Sequence, residues 1–149
     1  MFLGIDYGKK RIGLAVGSKF PRGIGVLDGD RNEHLIVTDI AEICHEEDVE
    51  KIIIGFPERH QGEAGTLANE IKQFAQAIHN KTNLPIVFEP EAFTSTEAEE
   101  FLKTHTKKPG EKDKVDELAA VLILEQYIYK ISEKKDTPYE QDPSLDVGV

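Results

Sequence analysis

The sequence predicts an α/β domain: a five-stranded mixed sheet in the order 3-2-1-4-5 with helices on both faces. Three observations predict it. The first 28 residues alternate apolar runs with glycine-containing turns, the pattern of a three-stranded antiparallel meander. Two later runs, residues 51–56 and 85–89, are short and rich in β-branched residues, as in strands buried on both faces. Each follows a stretch with helical spacing of apolar residues, and right-handed crossovers would then set both strands parallel to the first.

The elements follow in order. Residues 2–6 and 11–17 read as strands joined by a turn at Gly8, and 23–27 as a third strand ending in Asp28-Gly29-Asp30. From residue 34 to 47, Leu35, Ile36, Ile40, Ile43 and Cys44 fall near helical spacing. Residues 51–56 form the fourth strand, and a loop with Pro57, Gly62 and Gly65 follows. Leu67, Ile71, Phe74, Ala75 and Ile78 share one helical face, and 85–89 is the fifth strand. Thr94 or Ser95 can cap a helix through Ala98, Phe101 and Leu102, with Glu97 at capping-box distance from Thr94. Residues 104–114 are polar and basic, and read as a loop; 115–131 form an amphipathic helix on Leu118, Ala119, Leu122, Ile123 and Tyr127. One domain is expected over residues 1–131. An acidic, proline-containing tail expected to be disordered follows over 132–149.

Composition limits the function. With 39% hydrophobic and 31% charged residues, the chain is ordinary for a soluble globular protein. No apolar run approaches the length of a membrane span, and the N-terminus is a strand pattern rather than a signal segment. A single cysteine, Cys44, excludes an internal disulfide, fits a reducing cytoplasm and reads as core packing. The net charge of −10 argues against a broadly basic nucleic-acid binder, so any polyanion site is local.

The chemistry starts at Asp6. It ends an apolar strand, where a charge is costly unless paired or bound to metal, and the basic turn of Lys9, Lys10 and Arg11 follows it. Open α/β sheets place their sites at the carboxyl ends of the strands. Asp6 ends the first strand, residues 56–65 leave the fourth, and Glu89 and Glu91 leave the fifth. Asp113 and Asp116 open the last helix, which can bring them to the same edge. Carboxylates gathered there suit hard cations such as Mg²⁺ or Mn²⁺. Two such ions about 3.5–4 Å apart would serve phosphodiester hydrolysis.

Each residue also has a plainer reading. Asp6 can organise a turn, Glu91 can be a solvated loop acid, and Asp116 can be a first-turn acid favoured by the helix dipole. Asp113 reads as a solvent or capping residue. Lys107, Lys108, Lys112 and Lys114 form either a solvated loop or a phosphate grip. Gly4-x-Asp6-x-Gly8 also opens sugar kinases and actin-like ATPases, but the chain is too short for their two lobes.

Four segments resemble the YqgF-type family, bacterial proteins described as Holliday junction resolvases and as nucleases for the 5′ end of pre-16S ribosomal RNA. They are residues 4–16, residues 53–57 with Gly62 and Gly65, residues 91–98, and residues 114–124. The resemblance implies an RNase H-like fold and a metal-dependent nuclease in which Asp6, Glu91 and Asp116 are the catalytic, Mg²⁺- or Mn²⁺-binding acids. Lys9, Lys10, Arg11, Arg59 and Lys114 would contact nucleic acid. The partner would be precursor ribosomal RNA or branched DNA, and the protein a monomer or weak homodimer, since resolving a junction requires two symmetric sites. Two departures stand out. Pro90 and Ala92 replace an acid and an arginine usual in the family, and Arg59-His60-Gln61-Gly62 replaces its usual Asn-Met-Asp-Gly. Arg59 can stand in for the missing arginine; a catalytically weakened nucleic-acid-binding or scaffold protein is the alternative.

Overall fold

The computed structural model describes residues 1–57, 63–91 and 111–135. Within them the chain runs β1 (Phe2–Asp6), β2 (Arg11–Gly17), β3 (Arg22–Asp28), α1 (Glu33–Glu46), β4 (Lys51–Pro57), α2 (Glu63–Thr82), β5 (Ile86–Glu91) and α3 (Glu111–Lys135). Arg59, the helix expected near residues 94–102 and the tail beyond 135 lie outside the described residues.

The five strands form one sheet in the expected order, β3-β2-β1-β4-β5. β1 is antiparallel to β2 and parallel to β4, and β4 is parallel to β5. Strand alternation sends side chains to two cores. On one face Leu3, Ile5, Leu14, Ile52 and Ile54 pack with Ile36 and Ile40 of α1 and with Ile71, Phe74 and Ile78 of α2. On the other, Ala15 and Ile53 pack with Ala120, Ile123, Leu124 and Tyr127 of α3.

Among the boundaries that differ from expectation, three have a local reason. β5 runs two residues past Glu89, so that Pro90 pairs with Phe56 and Glu91 with Pro57. Proline is tolerated because β5 lies at the end of the strand order, where a missing N–H need not break an inner ladder. The extension makes Glu91 a strand residue instead of a loop acid. α3 begins at Glu111, inside the expected loop, where acids in the first turn meet the positive end of the dipole. It continues to Lys135, beyond the expected end at 131; the Tyr129 hydroxyl donates to Glu133 one turn on, at 3.0 Å.

Candidate functional site

Asp6 is the last residue of the central strand β1, and its side chain is buried, at 8% exposure. Its neighbour in the chain, Tyr7, packs on Phe74 of α2, with ring centroids 4.8 Å apart. Burial, then the charges of Glu70 and Glu33, raise the Tyr7 pKa, so this phenol stays protonated.

Asp6 is opposite Gly13 in the β1–β2 ladder, so both positions belong to one face of the sheet. That face carries α3. A Cβ on Gly13 would stand 1.9 Å from the main-chain oxygen of Asp116, so the start of α3 lies on bare strand backbone. Two residues earlier on β1, a Cβ on Gly4 would stand 3.0 Å from both the Ala120 oxygen and the Leu124 Cβ. These two glycines let α3 approach closely, and Gly13 brings Asp116 next to the register partner of Asp6.

Asp116 is held by Arg11, whose Nε donates to Oδ2 at 2.7 Å with both groups half-buried. Arg11 was expected on phosphate; in the structure it first orients an acid, across 105 residues of sequence. The rest of the basic turn is more open. Lys10 is exposed, and Lys9, 71% exposed, sits 3.7 Å from Glu70, a loose pair. Lys114 is exposed one turn before Leu118 on α3.

On β5, positions 87, 89 and 91 share the parity that faces α3: Val87 packs in the α3 core and Glu89 bonds to the helix. Glu91 thus ends its strand at the same sheet edge and on the same face as Asp6. Gly13 links the positions of Asp6 and Asp116, whereas β5 meets α3 further along the helix, at Gln126 and Lys130. Among the described residues, no group of three His, Cys, Asp or Glu side chains encloses a metal position, and the Glu91 side chain is not among those described.

Sequence reasoning missed a clamp next to this edge. Glu89 is 3% exposed, yet paired: Lys130 Nζ lies 2.5 Å from its Oε2. Gln126 Nε2 donates to the same oxygen and, at 3.1 Å, to the carbonyl of Pro90. A buried carboxylate is costly without such partners. The clamp ties the strand that ends in Glu91 to the helix that begins near Asp116. Lys130 and Gln126 stand four residues apart, the spacing of neighbours on one helix face, and this was its one sequence signal.

Comparisons with known proteins bear on the family and the fold. The family model described as "RuvX: Holliday junction resolvase" matches residues 1–130. A protein of Thermosynechococcus vestitus named "Putative pre-16S rRNA nuclease" is 38% identical over 148 residues, covering 96% of this chain and 97% of that protein. One of the same name from Sulfurihydrogenibium is 36% identical over 132 residues, covering 87% and 90%. Among solved structures, RuvC of T. thermophilus in complex with a Holliday junction substrate superposes with a TM-score of 0.56 at 15% identity, over 89% of this chain and 95% of that one. That likeness establishes the RNase H-like fold. With the family model spanning every described element up to the last turns of α3, the chain belongs to the RuvX (YqgF) family.

Proposed function

We propose that this protein is a divalent-metal-dependent nuclease of the cytoplasm that trims the 5′ region of precursor 16S ribosomal RNA. The observation that carries the reading is the buried Asp6 at the end of the central strand, with the start of α3 and Asp116 packed against its ladder partner Gly13. The names of the relatives supply the substrate.

The donor set fits a hard cation: Asp6, Glu91 and Asp116 offer carboxylate oxygens, and no soft ligand accompanies them among the described residues. These three residues would hold Mg²⁺ or Mn²⁺. When bound, the cation supplies Lewis-acid stabilisation of the charge that builds on a phosphodiester during hydrolysis. The chain's own residues do the rest. Burial on a rigid strand fixes the Asp6 carboxylate, and the Arg11 bond fixes that of Asp116. Lys10, in the β1–β2 turn, and Lys114, near the start of α3, are exposed cations placed to hold backbone phosphates. Arg59 takes the role of the arginine that Ala92 replaces.

The test is cleavage of a 5′-extended 16S precursor fragment with Mn²⁺, beside a four-way DNA junction, by wild type and Asp6→Asn. Cleavage of the RNA that disappears in the variant supports the reading. Equal activity in both proteins overturns the site, and cleavage confined to the junction overturns the substrate.

A further inference from the structure

Phe88 lies on β5, on the face opposite α3, and is 39% exposed. It is not a stray surface residue. Its ring leans on Phe56 of β4, with centroids 4.9 Å apart and planes tilted by 44°. The Lys72 ammonium stands 5.7 Å from the centroid of that second ring. The C-terminal half of α2 leaves a groove of about 580 Å³ beside them, lined by Lys72, Gln76, His79, Pro85 and Phe88. The chain has 28 acids against 18 lysines and arginines, yet none of the groove's described lining residues is an acid. By contrast Phe20, 87% exposed, belongs to none of the ring pairs among the described residues.

An exposed ring held rigid by a second ring, with a cation alongside and acids kept away, has the chemistry of a base-stacking subsite. Single-stranded nucleic acid is bound this way, with bases on aromatic faces and phosphates at nearby cations. The position fits as well. Phe88 precedes Glu91 by three residues along β5, about 10 Å of strand. A strand entering the acidic edge would have to pass around the end of β5 to reach it, within the reach of a few nucleotides.

We propose that the groove between α2 and β5 is a subsite for single-stranded RNA, in which an unpaired base stacks on Phe88 and a backbone phosphate lies at Lys72. It deepens the nuclease reading and rests on it. RNA is favoured over DNA because relatives 38% and 36% identical to this chain are named for an RNA precursor.

The chain contains no tryptophan, which makes the test direct. Phe88→Trp places a single indole in the groove and keeps an aromatic surface; Phe20→Trp places one on the open surface as a control. Each is titrated with oligouridine, with oligothymidine and with a single-stranded 16S 5′-leader fragment, in EDTA so that no cleavage occurs. The expected result is fluorescence quenching by the RNAs in Phe88→Trp and none in Phe20→Trp. Phe88→Ala should weaken binding of the leader fragment by about 5- to 150-fold, the usual loss for one stacked base. Lys72→Ala should weaken it less and lower the salt dependence by about one phosphate. If wild type binds the leader and Phe88→Trp is not quenched by it, the subsite is wrong and the nuclease reading stands. If wild type binds no RNA, both fall. Quenching by oligothymidine alone overturns the assignment to RNA.

Discussion

Gly13→Ala tests the contact that brings Asp116 to the site. The added Cβ would stand 1.9 Å from the Asp116 main-chain oxygen, where real Cβ contacts are 3.0 Å or more. The start of α3 must therefore withdraw by about 1.1 Å, since the obstacle is helix backbone with no rotamer to change. Overpacking of this kind costs about 1–3 kcal/mol, and for a chain of this size that lowers the melting temperature by roughly 3–10 °C. The withdrawal carries Asp116 away from Asp6, and a misplacement of about 1 Å at a catalytic group costs on the order of 100-fold in rate. Thermal unfolding and Mn²⁺-dependent cleavage, assayed well below the melting transition, separate the two effects. Gly4→Ala is the control: its Cβ would meet Ala120 and Leu124 at 3.0 Å, so a few tenths of an ångström suffice and the middle of α3 moves instead of its start. Its loss of activity should be the smaller. A Gly13→Ala protein with wild-type stability and rate would refute the reasoning, as would a Gly4→Ala protein that loses more activity.

Three further outcomes follow from other contacts. Arg11→Lys removes the Nε bond that orients Asp116 and should lower kcat with little change in KM, whereas Lys10→Ala should raise KM and weaken its salt dependence; the two kinetic profiles check this. Lys130→Met strands a carboxylate that is 3% exposed, and should cost about 1–3 kcal/mol in urea unfolding; Glu89→Leu with Lys130→Met should recover part of that loss, because the charge and its partner leave together. Burial pushes the Cys44 thiol pKa up to about 11 from an ordinary 9, so the folded state keeps its proton where the unfolded chain releases it. Stability from this group is intact below pH 9 and falls as pH rises towards 11, and at neutral pH the thiol should resist alkylation unless the protein is unfolded.

The order of elements and the sheet order were legible because each depends on local pattern and on the handedness of crossovers. Asp6 stood out for the same reason: an acid at the end of an apolar strand is a local anomaly. The boundaries at Pro90, Glu111 and Lys135 were less legible, since edge position, first-turn charge and an i,i+4 hydrogen bond outweighed composition there.

The sequence by itself determined the class of fold, the order of the strands in the sheet and the candidate acids Asp6, Glu91 and Asp116. Tertiary structure alone decided which partners those residues take. Arg11 pairs with Asp116, 105 residues away, and Glu89 is buried under Lys130 and Gln126 from another element. Gly13 proved to be a seat for a helix backbone, and Phe88 the floor of a groove. The physical reason is that periodicity reports how a segment faces the core, whereas a partner is chosen by where two elements cross. That crossing is set by the packing of α3 over the glycines of β1 and β2.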